Sequence, residues 1–238
     1  MSVFLTAEWR QLAMLNYELD ASALDALVPR GTELDLWQGR CFASVVGFRF
    51  LDTRVLGVPV PFHRNFEEVN LRFYVRQKSA EGWRRGVAFV KEIVPRAAIA
   101  FVARTLYDEK YVALPMDHRV EHGPGGQVES VEYGWRLGGR RHSLSLRTTG
   151  EFLAPAEGSQ EQFIAEHYWG YTARRDGGTS AYEVRHPPWR VVAAAQSRLD
   201  CDVARLYGER LAEALRVPPA SAFLADGSEV SVSRGVGL

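Results

Sequence analysis

The chain has 238 residues, 46% of them hydrophobic, and its 29 Lys plus Arg balance 29 Asp plus Glu. That is too apolar for a disordered chain and long enough to bury a sizeable core. Zero net charge argues against a nucleic acid as main partner, because such affinity comes from clustered basic side chains; it also favours association with a second copy, so a homo-oligomer stays open.

The first apolar run, Leu12 to Leu19, is strand-sized. Asp20 can cap a short helix from Ala21 to Leu27, which Pro29 and Gly31 end. Leu34 to Trp37, the Gln38-Gly39 turn and Cys41 to Phe50 predict a hairpin. Val55 to His63, with Gly57, Pro59 and Pro61, reads as a loop. Phe66 to Arg76 is the clearest strand of the first half. Val69, Leu71, Phe73 and Val75 share one face; Glu68, Asn70, Arg72, Tyr74 and Arg76 share the other. Val87 to Val94 is a further strand. Pro95 suits the first turn of a helix, with Ala98, Phe101, Val102 and Leu106 as its apolar stripe.

In the second half, Gln127 to Leu137 and Arg141 to Thr149 flank Gly138-Gly139, a strong hairpin signal. Ser159 with Gln162 has the form of a capping box opening a helix through about His167. Tyr182 to His186 and Arg190 to Arg198 read as strands around Pro187-Pro188. Asp202 can cap an amphipathic helix from Val203 to Leu215, and a last strand is expected between Ser228 and Ser233. Many strands with scattered helices and no linker predict one β-rich α+β or barrel-like domain over residues 1–238, not a doubly wound sheet.

No apolar run approaches the roughly 18 residues of a membrane-spanning helix. Met1 to Arg10 has no apolar core of a secretion signal. Cys41 and Cys201, far apart, suit a reducing compartment, so a cytoplasmic location with no membrane partner is expected.

Candidate chemistry is sparse. No phosphate loop, dinucleotide fingerprint or nucleophile elbow occurs, and no cofactor is expected. Only Lys78, Lys91 and Lys110 offer side-chain amines; the other basic residues are arginines. Lys91 shares an alternating face with Val87, Phe89 and Ile93, where burial would lower its pKa, or where it could snorkel to a rim. Glu68, Asn70 and Arg72 form either a polar recognition wall able to grip a carboxylate or a solvated strand face. His167 and Trp169, with Tyr168 and Tyr171 around Gly170, close a helix either as a pocket wall or as an aromatic plug. His118 and His122 fall in a loop without a third ligand, so no metal site is expected. His63 and His186 read as turn residues beside prolines.

Several segments in order, "ELDLWQGRCFASVVGFRF", "FEEVNLRFYVR", "RRGVAFVKEIVPR", "ARTLYDEKY", "EHYWGYT", "YEVRHPPW" and "CDVARLYG", resemble the YqjF-like family, domain-of-unknown-function family 2071, from about Thr6 to the C-terminus. That family is more distantly similar to acetoacetate decarboxylase. The resemblance implies an antiparallel barrel-like core with a central cavity and flanking helices. In the decarboxylase a lysine forms a Schiff base with a β-keto acid, and a glutamate lies near it. Asn65-Phe66-Glu67-Glu68 matches the glutamate motif at Glu68. Arg104 to Lys110 matches the lysine segment, one residue short before the lysine. Asp108 and Glu109 precede Lys110, and neighbouring carboxylates favour the charged ammonium, the wrong direction for a nucleophilic amine. Arg104 is the expected cation beside Glu68. Two readings follow: a lyase acting on a keto or carboxylate compound through Lys110 or Lys91 with Glu68, or a non-catalytic protein holding a small-molecule ligand in the same cavity. Lysine placement separates them.

Overall fold

The structure, a computed structural model, describes residues 2–96 and 110–238. Its strands in chain order are β1 (Val3–Glu18), β2 (Glu33–Leu34), β3 (Phe42–Val55), β4 (Val58–Pro59), β5 (Phe66–Ser79), β6 (Gly82–Val94), β7 (Tyr111–Ala113), β8 (Met116–His122), β9 (Val128–Leu137), β10 (Arg140–Thr148), β11 (Trp169–Ala173), β12 (Thr179–Arg185), β13 (Val191–Asp200), β14 (Ser221–Ser233) and β15 (Val236–Gly237). The helices among the described residues, α1 (Gln160–Ala165), α2 (Val203–Tyr207) and α3 (Glu209–Ala214), are short. The described chain is therefore mostly β. No helix among the described residues is long and apolar enough to cross a membrane.

Strand pairing runs β12-β11-β6-β5-β3-β1-β14 and returns to β12. The ring is uneven. The β3, β1 and β14 ladders are long, whereas β12 meets β14 only at Val184↔Val232 and Arg185↔Ser231. β11 meets β6 only at Trp169 and Gly170, in parallel. The first half of β14 pairs instead with β13, through which β10, β9 and β8 extend the sheet over the outside of the ring.

Alternation along β5 explains how the layers divide. Val69, Leu71, Phe73 and Val75 join a buried cluster with Tyr133, Trp135, Leu144 and Leu146 of the outer strands and Leu206, Tyr207 and Leu211 of α2 and α3. Phe66 and Tyr74 look the other way, into a second cluster with Met14, Phe48, Phe50, Phe163 and Trp189. Both faces of β5 are covered over its first two thirds, so Glu68, Asn70 and Arg72 point into protein, not bulk water.

Several local signals act as their chemistry predicts. Gly138 and Gly139 take positive φ at the β9–β10 turn. The Ser159 side chain accepts from Gln162 N at the start of α1, and Asp202 accepts from Arg205 N at α2. Other expectations need correction. Ala21 to Leu27 is helical and capped by Asp20, but as two 3-10 turns and not one continuous helix. Gln38-Gly39 does turn between Trp37 and Arg40, but β2 leaves to pair with β5, so no hairpin with β3 forms. The Val55 to His63 segment contains the short β4 paired back on β3. Val203 to Leu215 is broken at Gly208, which has φ +98° and separates α2 from α3. His118 and His122 lie in β8, an edge strand, not a loop. Gly170 makes no turn; it sits inside β11, where a Cβ would come 2.2 Å from the Tyr182 ring. The helix expected after Pro95, with Arg104, falls on residues outside those described.

Candidate functional site

Residues of β1, β3, β5, β6, β11 and β12 line a pocket of about 270 Å³. Its apolar walls come from strands far apart in sequence. Trp9 of β1 stands edge-on to Phe48 and Phe50 of β3, with centroids 5.3 and 5.6 Å away. Phe50 stacks on Phe66 of β5 at 4.6 Å. His186 stacks on Trp189 at 4.0 Å, and both face the pocket. His63 lines it as well. Neither histidine is merely a turn residue.

Polar groups enter from β5 and its neighbours. Glu68, Asn70 and Arg72, residues i, i+2 and i+4 of one strand face, all line the pocket. Tyr111 Oη donates to Glu68 Oε2 at 3.0 Å, and Asn70 Nδ2 donates to Glu68 Oε1 at 2.9 Å. Glu92, 2% exposed, joins them. Arg72 is 9% exposed. One Nη lies 3.8 Å from the Met14 sulfur, its guanidinium stands 5.9 Å from the Tyr74 ring, and its Nε has no hydrogen-bond partner among the described residues. None of the ion pairs among the described residues includes Arg72. A buried guanidinium without a carboxylate is expensive unless something pairs with it.

The lysines stand elsewhere. β6 carries one extra residue against β5: Arg72 pairs with Phe89, but Leu71 pairs with Lys91, leaving Val90 as a bulge. Such an insertion flips the side-chain alternation that follows. Val87 and Phe89 therefore face the pocket, while Lys91 and Ile93 turn to the outer layer and Glu92 turns inward. The expected shared face of Val87, Phe89, Lys91 and Ile93 does not exist. Lys91 Nζ instead donates to the Leu206 carbonyl at the end of α2. Burial, then the neighbouring Lys110 charge, lowers its pKa. Lys110 is exposed, directly before Tyr111 of β7, which pairs with Glu92 and lines the pocket. Neither Lys91 nor Lys110 is among the pocket-lining residues. The proposed Glu68–Arg104 pair has one member outside the described residues.

His167 and Trp169 line the pocket too, after the end of α1 and at the start of β11. The neutral imidazole donates through Nε2 to Asp35 Oδ2 at 3.1 Å, and Arg85 Nε donates to the same oxygen at 2.6 Å. Asp35, whose partners are 50 and 132 residues away, was not legible as a site residue. Burial pushes the His167 pKa down to about 4, against the pull of Asp35; Arg85 and Arg72 reinforce the lowering. Burial pushes Asp35 up, but its bonds from His167 and Arg85 prevail and leave it lowered.

This predicts an acid-sensitive fold. Unfolded histidine titrates near 6.5. Between that value and the folded one, the unfolded chain binds a proton that the folded protein refuses. Stability is thus full above about pH 6.5 and falls as the pH drops towards 4, with the lowered Asp35 adding a loss in the same direction below its ordinary range. Denaturant melts at about pH 5 should be weaker than at about pH 7 by roughly 2 kcal/mol. His167→Gln should remove most of that difference, and an unchanged pH slope in the variant would refute the assignment.

Comparison with known proteins gives the fold a context. The family model DUF2071, described as an uncharacterised conserved protein, matches residues 6–229. The uncharacterised protein YqjF of Bacillus subtilis is 26% identical over 183 residues, 76% of this chain and 72% of that protein. Among solved structures, an acetoacetate decarboxylase from Legionella pneumophila superposes with TM-score 0.70 at 11% identity, covering 99% of this chain and 87% of its own. An enduracididine biosynthesis enzyme, MppR, complexed with pyruvate gives 0.69 at 11% identity, covering 100% and 91%. An acetoacetate decarboxylase-like enzyme from Sphingomonas wittichii gives 0.67 at 15% identity, covering 100% and 94%. At such identities these structures speak for the fold, which is acetoacetate decarboxylase-like.

Proposed function

The chain belongs to the DUF2071 family, and from its pocket we propose that it binds a small organic carboxylate with an apolar body. Arg72 takes the carboxylate, and the walls around Trp9, Phe48, Phe50 and Trp189 take the hydrocarbon. The observation that carries this reading is the buried Arg72 guanidinium lining the pocket with no carboxylate partner among the described residues. A guanidinium fork matches a carboxylate in two parallel hydrogen bonds. The volume suits a ligand of several carbon atoms, near the low end of small-molecule sites. One fold neighbour is named for acetoacetate and another is complexed with pyruvate, both small carboxylates, which supports the same ligand class here.

The lyase reading through a lysine is disfavoured, because Lys91 and Lys110 both lie off the pocket lining and a Schiff base needs the amine at the ligand carbonyl. Borohydride reduction in the presence of pyruvate and other keto acids should leave both lysines unmodified by mass spectrometry. A reduced adduct on either one would restore the lyase reading. A second reading keeps turnover without lysine: Glu68 and Tyr111, hydrogen-bonded inside the pocket, form a pair able to move a proton to or from a bound acid. Solvent deuterium exchange into a bound acid would support it.

We further read the chain as one folding unit handling a metabolite in the cytoplasm, with two free cysteines as support. Nucleic acid and membrane are not proposed as partners, and self-association through zero net charge remains part of the proposal.

A further inference from the structure

Asn70 narrows the ligand further. The Glu68 carboxylate accepts hydrogen bonds, so the Asn70 amide must turn its NH2 towards it, and Nδ2 donates to Glu68 Oε1 at 2.9 Å. That bond fixes which end of the amide is left over. The remaining end, Oδ1, is buried and has no donor among the described residues. Asn70 is 2% exposed. Its neighbours across the sheet are Val46 on β3 and Glu92 on β6. A valine side chain donates nothing, and a carboxylate is an acceptor. An amide oxygen buried in this way bears its full desolvation cost, and native proteins rarely leave one unexplained. Two residues along the same strand face, Arg72 Nε is a buried donor with no acceptor among the described residues. On one face of a strand such residues stand about 7 Å apart at Cα. The longer arginine side chain can bring its fork near the amide.

We propose that the ligand is a hydroxy acid, with its carboxylate on Arg72 and its hydroxyl donating to Asn70 Oδ1. This inference rests on the Arg72 reading given above and adds the second contact. A keto acid cannot make that contact. Its carbonyl oxygen is an acceptor and would meet the Asn70 oxygen with no proton between them. A site built to bond a hydroxyl discriminates strongly against the analogue lacking it, because its own buried group is then unpaired. The pocket therefore prefers the reduced acid over the keto acid, although one fold neighbour is named for the keto acid acetoacetate and another is complexed with pyruvate. Asn70 is the specificity-determining residue, and Glu68 is a positioning residue that orients it.

Calorimetric titration of the whole chain tests this with four probes: hexanoate, α-hydroxyhexanoate, β-hydroxyhexanoate and α-oxohexanoate. At least one hydroxy acid should bind about tenfold tighter than both hexanoate and the oxo acid. Asn70→Ala should lower the affinity of that hydroxy acid alone and bring the four within about threefold of one another. If Asn70→Ala fails to fold, the wild-type ranking decides by itself. Should the oxo acid or hexanoate bind as tightly as both hydroxy acids, while Arg72→Met weakens all four, the hydroxyl contact is refuted and the carboxylate anchor stands. Should Arg72→Met leave the affinities unchanged, or none of the four bind, the anchor falls and the hydroxyl contact with it.

Discussion

Arg72→Met is expected to make the protein more stable and to abolish its carboxylate binding. Methionine follows the arginine side chain as far as Nε, needs no polar partner, and is a flexible apolar filler suited to the surroundings of the Met14 sulfur, which a guanidinium Nη now touches at 3.8 Å. Replacing a buried charge by an apolar side chain of similar volume is often neutral or stabilising by about 1–4 kcal/mol. Here the charge has no carboxylate among the described residues, so the gain should sit in the middle of that range. For a chain of this size each kcal/mol raises the melting midpoint by about 2–4 °C. Losing a buried charge-assisted hydrogen bond to a ligand costs about 2–5 kcal/mol, or a loss of roughly 30-fold to several thousand-fold in affinity. Arg72→Lys keeps the charge but loses the fork, and should fall between. Thermal melts and calorimetry on the same preparations separate the two effects. A midpoint that drops by more than about 5 °C, with binding intact, would make Arg72 a structural residue.

Gly227→Ala is expected to be the most damaging single-methyl change. Gly227 has φ +77°, and an added Cβ would stand 2.0 Å from the Trp9 carbonyl oxygen and 2.8 Å from Leu12 Cδ1. Opposite it, Arg10 donates to its carbonyl at 3.1 Å, and Gln11 also has positive φ, so both strands bend together here. The bend lets β14 pair with β13 on one side of Gly227 and β12 on the other, closing the ring beside the pocket residues Trp9 and Leu12. Left-handed backbone costs an alanine about 1–2 kcal/mol, and the clash is with backbone, which cannot rotate away. A total of about 3–5 kcal/mol is a large share of a domain's stability. Urea melts should show a shift of that size or no folded protein at all; a change below about 1 kcal/mol would mean the strands relax easily at this point.

How far the sequence alone reached depends on the kind of signal. The alternation of β5 was plain from Glu68 to Val75, as was the Gly138-Gly139 turn, because both are local. A period of two defines two faces but does not say which is covered, and here both are. The inward placement of Glu68, Asn70 and Arg72 therefore needed the ring. Lys91 does not share the face of Val87 and Phe89 because Val90 is a bulge, and nothing in "GVAFVKEIV" marks it. The amphipathic spacing from Val203 to Leu215 continues through Gly208, where the chain in fact breaks into two helices. Asp35, Tyr111, His63 and His186 escaped because their roles come from partners distant in sequence. Glu92 reaches the pocket because that bulge flips the alternation, which the sequence pattern does not reveal.

The most direct measurement is a crystal structure of the protein grown with ω-bromohexanoate, whose bromine can be located by anomalous scattering. The carboxylate should lie within about 3.2 Å of the Arg72 guanidinium nitrogens, with the bromine among Trp9, Phe48, Phe50 and Trp189. A carboxylate bound away from Arg72, or a bromine only outside the ring, would contradict the account.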